Sequence, residues 1–208
     1  MMNSPFELSA TALMLDEIKS QIRASVAVKV ALLADEQLLG QIQQLSQTCL
    51  DALRAGGKII FAGNGGSFAD AQHLSAEFTS RFLFDRAPLA SVALATNNSA
   101  ISAIGNDYGY EQVFARELQA IAKPEDVFIA ISTSGNSANI MAAVLIAKKL
   151  DVTTIAWTGE SGGLLKQMCE CIRIPSIETA RIQECHILIG HILCGLVEAA
   201  YFTEGAAP

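Results

Sequence analysis

The chain has 208 residues, of which 51% are hydrophobic and 17% charged, enough apolar material for one full core and too little charge for a disordered segment. A formal net charge of −7 argues against a nucleic-acid partner, which requires clustered Lys and Arg, but leaves room for a small phosphorylated ligand held locally. The five cysteines (Cys49, Cys169, Cys171, Cys185 and Cys194) are odd in number and form no Cys-x-x-Cys pair, so buried free thiols are expected rather than disulfides or a thiolate zinc site.

In chain order, Met1 to Leu8 carries neither a basic start nor an apolar core, so no export signal is read there. Apolar positions at helical spacing, among them Leu15, Ile18 and Ile22, then Leu38, Ile42, Leu45 and Leu53, predict helices over 8–30 and 35–55. Strand and helix signals then alternate. We expect strands at 58–62, 90–95, 126–131, 152–157 and 171–174. Helices are expected at 67–82, 98–105, 111–121, 137–149, 162–168 and 180–201. Such alternation implies βαβ units, an α/β fold and a parallel sheet covered on both faces. We expect a single domain over 1–208, with helices over 1–56 packing on the domain and at an oligomer interface, and an α/β core over 57–208. The most apolar stretch, Ile187 to Val197, contains His191 and is shorter than the roughly 20 residues a membrane span needs. A cytoplasmic protein with no membrane partner is the expectation.

Two loops carry the first chemical signal. Ser132-Thr133-Ser134-Gly135-Asn136-Ser137 follows an apolar strand and precedes a helix, where free N–H groups and the positive dipole end favour an anion. The loop has no Lys or Arg, so hydroxyls and amides must hold that anion, which suits a sugar phosphate better than a triphosphate. Gly63-Asn64-Gly65-Gly66-Ser67 occupies the same position after an earlier strand. It is neither a dinucleotide fingerprint, since Phe68 takes the third glycine's place, nor a nucleotide P-loop. Its glycines permit close backbone approach, and Ser67 is expected to cap the following helix. Together the loops describe a cleft at the strand C-termini of an open sheet.

His73 and Glu77, four residues apart, share one helix face and can serve as two metal ligands, as a base with its orienting partner, or as a surface hydrogen bond. Arg81 is expected to extend that face by another turn. The last helix holds Gln183, His186 and His191; spacing alone does not say which histidine is active.

Asn64-Gly65-Gly66-Ser67, the His73…Glu77 pair, Gly105-Asn106-Asp107-Tyr108-Gly109-Tyr110, Ser132 to Ser137, and Arg181-Ile182-Gln183-Glu184…His191 resemble the sugar isomerase (SIS) domain family, in particular its members acting on sedoheptulose 7-phosphate. The resemblance runs from about residue 10 to 200 with all five motifs in order. It implies a three-layer sandwich with a five-stranded parallel sheet flanked by helices. It implies a homotetramer that converts sedoheptulose 7-phosphate to D-glycero-D-manno-heptose 7-phosphate through an enediol, supplying heptose for bacterial surface polysaccharides.

Carried over by position, Asn64, Gly65, Gly66, Ser67, Ser132, Thr133, Ser134 and Ser137 match phosphate and sugar contacts. Arg81, Asn106, Asp107, Glu77 and Gln183 match substrate-contacting positions. Glu77 and His191 match the base and the acid. His73, Glu77, Gln183 and His191 match a site that holds one zinc ion per subunit in some members. Ala180 stands where some members have an aspartate, which puts any role of that aspartate in doubt here. Another member of the family binds the bacterial replication initiator without catalysis; it is the alternative reading, and the presence of His191 favours the enzyme.

Gln183 and His191 are eight residues apart, a rise of roughly 12 Å on a continuous helix. Either the last helix begins after Gln183, or one of the two comes from a neighbouring chain; we expect the second, with Glu77 and His191 contributed by different subunits.

Overall fold

The computed structural model describes residues 10–203; the first two residues of the expected opening helix lie outside them. Two helices, α1 (Ala10–Leu33) and α2 (Glu36–Arg54), precede five strands. These are β1 (Ile59–Gly63), β2 (Ser91–Ala93), β3 (Val127–Ile131), β4 (Thr153–Gly159) and β5 (Glu170–Ile174). Helices α3 (Gly66–Thr79), α4 (Asn98–Tyr108), α5 (Val113–Ile121), α6 (Ala138–Lys149) and α7 (Thr179–Thr203) connect and follow them.

All strands pair in parallel, in the order β2-β1-β3-β4-β5, as the α/β reading requires. The alternating side chains divide the core in two. Ile59, Phe61, Ile129, Ile131, Ile155 and Trp157 point to the face covered by α2, α3 and α7. Ile60, Ala62, Phe128, Ala130 and Ala156 point to the face covered by α5 and α6. A sheet buried on both faces needs near-continuous apolar strands, and β1 and β3 are buried at every residue.

The differences from expectation lie at element ends. The edge strand β2 stops at Ala93, and Ala95 then turns to φ +62°, its N–H donated to the Glu117 carboxylate. The helix expected at 162–168 is one 3-10 turn, Leu165–Gln167, in a segment opened by Gly162 and Gly163 at positive φ. The last helix extends beyond its apolar run to 25 residues, long and apolar enough by length and composition to span a membrane. Its buried residues, including Ile182, Cys185, Ile189, Leu193 and Val197, instead cover the sheet and its flanking helices. All five cysteines are free, four of them buried.

Strand order reverses direction between β1 and β3, the two strands that lead into the glycine and serine loops. In open α/β sheets, ligands bind outside the carboxyl ends of the strands at such a switch point.

Candidate active site

At the switch point the two loops are tied into one cradle. Asn64 Nδ2 donates to Asn139 Oδ1 at 2.8 Å, and Asn139 Nδ2 donates back to Asn64 Oδ1 at 2.9 Å. Tyr110 adds its hydroxyl to Asn64 Oδ1 at 3.3 Å. Asn139 sits in the first turn of α6 and is buried, so it fastens the glycine loop to the helix end that the serine loop opens. Neither Asn139 nor Tyr110 was singled out from the sequence as a site residue. An asparagine two residues past Ser137 was the available signal, but its partner lies 75 positions away.

Within the serine loop, the Ser132 and Ser137 hydroxyls are 3.0 Å apart, and Ser134 Oγ accepts the Asn136 N–H. Thr133 accepts the Gly159 N–H through its carbonyl, which pins the loop to the end of β4. Gly135 has φ +66°, and a Cβ there would stand 2.3 Å from the Gly162 carbonyl oxygen, so only glycine allows this turn. Ser137 is the N-cap residue of α6 but makes no capping bond with its side chain; in the first turn the Ile140 N–H is donated to Asn139 Oδ1 at 3.0 Å, and the N–H groups of Ala138 and Asn139 precede it at the open helix end beside the cradle. Ser67 is not a cap. Gly65, at φ +56°, takes the N-cap position of α3, because only a residue tolerating positive φ can turn β1 so sharply into the helix; Ser67 is buried inside its first turn.

Helices α3 and α7 then run side by side away from the cradle. A Cβ on Gly66 would stand 2.7 Å from Gln183 Nε2, and one on Gly190 would stand 2.6 Å from the Leu74 methyls, so these glycines let the two helices approach. Where they meet, His73 and His191 bring their Nε2 atoms within 2.9 Å, and His73 Nε2 lies 3.3 Å from Glu77 Oε1. The donor atoms of His73, Glu77 and His191 all lie within 4.8 Å of one another in one chain. This corrects the expectation that Glu77 and His191 come from different subunits: the pairing of α3 with α7 supplies both.

The other expected residues are distributed around this line. Gln183 sits on the same helix as His191, α7. Helix α7 is unbroken from Thr179, so Gln183 is held two turns before His191 with its amide against Gly66. Arg81 is not on the His73–Glu77 face, because α3 ends at Thr79, with Ser80 as its C-cap; Arg81 is exposed in the loop beyond. Asn106 and Asp107 are exposed at the end of α4, where Asn106 Nδ2 donates to Asp107 Oδ1 at 2.8 Å. His186, the other histidine of α7, is fully buried beside Trp157, and its Nε2 lies 3.3 Å from the Thr158 carbonyl oxygen. Burial lowers its pKa to about 4, against a smaller upward effect of the Thr158 contact, so the ring is neutral core and not a catalytic acid.

The donor set of two imidazole nitrogens and one carboxylate is a possible metal-binding triad. Ligands about 2.0–2.1 Å from a shared tetrahedral ion stand roughly 3.3 Å apart, which the His73–Glu77 separation of 3.3 Å matches and the His73–His191 separation of 2.9 Å approaches.

A SIS domain model matches residues 24–159. The phosphoheptose isomerase of Aneurinibacillus thermoaerophilus is 53% identical over 188 residues, covering 90% of this chain and 95% of that protein. The solved phosphoheptose isomerase of Neisseria gonorrhoeae superposes with a TM-score of 0.83 at 39% identity, covering 89% of this chain and 99% of the other. That of Francisella tularensis superposes with a TM-score of 0.84 at 37% identity, covering 89% and 98%. The non-catalytic reading finds no support in these relatives. With its 2-1-3-4-5 parallel sheet, its paired loops and relatives matched over nearly their whole length, the chain belongs to the SIS domain family, among the phosphoheptose isomerases.

Proposed function

We propose that this chain interconverts sedoheptulose 7-phosphate and D-glycero-D-manno-heptose 7-phosphate, with the phosphate in the 132–137 cradle and the reacting carbons beside His73, Glu77 and His191. The observation that carries this reading is the placement of a carboxylate and two imidazoles on α3 and α7, about two turns along α3 from the glycine loop that is tied to the serine loop. Ser67 and His73 are six residues apart on α3, a rise of about 9 Å, which suits a substrate whose phosphate sits at the far end of a seven-carbon chain from its carbonyl.

The chemistry moves a carbonyl from C2 to C1. Glu77 takes a proton from C1, the C1–H electrons form the C1=C2 bond, and the former carbonyl pair at O2 takes a proton from His191. Glu77 then returns its proton to C2 while O1–H gives its proton back to His191, which restores both side chains and leaves the aldose. Ser134, Ser137 and the α6 amides bind the phosphate; Asn64, Gly65, Gly66, Ser67, Ser132 and Thr133 shape the cleft around it. Arg81, Asn106, Asp107 and Gln183 are proposed as contacts to the sugar. Were a zinc ion held by His73, Glu77 and His191, it would supply positive charge for the enediol oxygens in place of the His191 proton.

A homotetramer is supported by the exposed apolar stripe of α1: Leu15, Ile18, Ile22, Val26, Val30 and Leu33 recur at spacings of three and four, each more than half exposed. Heptose supply for surface polysaccharides is the corresponding role. Incubation of the zinc-loaded protein with sedoheptulose 7-phosphate should yield an aldoheptose 7-phosphate by chromatography. A folded, phosphate-binding protein that leaves the ketose unchanged would refute the assignment.

A further inference from the structure

Arg86 lies in the loop that follows α3, and Glu198 lies two turns after His191 on α7. Their side chains are 2% and 0% exposed, with Arg86 Nε donating to Glu198 Oε1 at 2.8 Å. Every other bond of the pair reaches the segment that carries the proposed base. Arg86 donates from Nη2 to the Glu77 carbonyl at 2.8 Å, and from Nη1 to the carbonyls of Phe78 at 2.7 Å, Ser80 at 3.1 Å and Ala87 at 3.1 Å. Glu198 accepts the N–H groups of Phe82 at 2.9 Å and Leu83 at 2.7 Å. The guanidinium therefore satisfies the terminal carbonyls of α3 that the helix leaves open, while the carboxylate folds the next loop onto α7. Phe82, fixed by this contact, stacks on the His191 ring with centroids 5.7 Å apart and planes 20° apart.

A fully buried ion pair is a poor source of net stability, since a well-packed apolar pair often serves as well. What an apolar pair cannot do is hold four carbonyls and two amides in fixed relative positions. We propose that Arg86 and Glu198 are positioning residues of the isomerase site: they clamp the end of α3 to α7, and thereby set the mutual geometry of Glu77, Arg81 and His191 without touching substrate. The inference rests on the reading of Glu77 and His191 given above. Small displacements matter here, because a misplacement of about 1 Å can cost ~100-fold in rate.

The test compares Arg86→Lys and Glu198→Gln with the double variant Arg86→Met/Glu198→Leu, measuring kcat, KM, thermal midpoint and calorimetric binding of inorganic phosphate. Lys keeps the charge but cannot span the carbonyls; Gln replaces one accepting oxygen with a donor, so one of the Phe82 and Leu83 N–H groups loses its acceptor. Both single variants should bind phosphate within about threefold of the parent and keep KM within about threefold, while kcat falls roughly 10- to 100-fold. The double variant removes both buried charges, so its thermal midpoint should return toward the parent while kcat stays low. A parent-like kcat in either folded single variant, or recovery of kcat in step with the midpoint in the double variant, overturns the positioning role. Glu77→Gln is assayed alongside. Normal turnover there overturns the base assignment itself, whereas an inactive Glu77→Gln beside fully active Arg86 and Glu198 variants overturns the positioning role alone.

Discussion

The cradle at the switch point and the histidine–carboxylate cluster on α3 and α7 are built on opposite principles. The cradle is local: each of its loops is a few consecutive residues between a strand and a helix, and what it offers an anion is backbone amides and short hydroxyl side chains. The cluster is distant in sequence: His73 and His191 are 118 positions apart, and they meet only because glycines let two helices pack closely. On the proposed reading, phosphate binding and bond-making chemistry reside in separate parts of the fold, joined by the first turns of α3. The expected consequence is that the two can be damaged separately.

The strongest test of that separation is Glu77→Gln, which keeps shape and hydrogen bonding but removes the base. Loss of a general base costs ~10²–10⁴-fold in rate, roughly 3–5 kcal/mol of barrier. Inorganic phosphate should bind to the variant as to the parent in calorimetry. Near-normal turnover would end the assignment of Glu77, and a parallel loss of phosphate binding would show that cradle and cluster are one unit.

A second test sharpens the comparison within α7, where His191 belongs to the cluster and His186 to the core. His186 has its pKa lowered to about 4 by burial, below the roughly 6.5 of an unfolded chain. Unfolding therefore takes up a proton between these values, so the stability tied to the neutral ring is fully present above pH ~6.5 and is lost as pH falls toward about 4. The loss is at most on the order of 3 kcal/mol. Urea unfolding at pH 7 and pH 5 should show the parent weakening more than His186→Leu across this window. Equal pH dependence in the two proteins would remove His186 from the account.

The smallest expected effects come from the cradle. Ser134→Ala and Ser137→Ala should each weaken inorganic phosphate and substrate together, by roughly 1–3 kcal/mol per charged-group hydrogen bond lost, with kcat at saturation little changed. Unaltered phosphate affinity in both variants would assign the loop another task. A fall in kcat at saturating substrate would mean that the cradle also aligns the reacting carbons.

The order of strands and helices, the parallel sheet and the two loops of the cradle were legible in the sequence, because each depends on local periodicity or on a short run of glycines and hydroxyls after an apolar strand. So was the face shared by His73 and Glu77, which needs only the helical repeat. What failed locally failed at ends: Arg81 lost its place on α3 because the helix stops at Thr79, where Arg86, five residues further along, collects the open carbonyls. Ser67 lost the capping role to Gly65, whose positive φ the turn from β1 demands.

Which histidine of α7 enters the site could be decided only by tertiary structure. His186 and His191 have equal standing as sequence, five residues apart on one apolar helix. The rotation of α7 against the sheet puts one ring beside Trp157 and the other against His73. The same packing brought Glu77 and His191 together within one chain and joined Asn64 to Asn139 across the switch point. Periodicity specifies which face of an element is apolar; only the packed helices and sheet specify which polar groups on those elements meet, since that depends on the distance and rotation between segments remote in the chain.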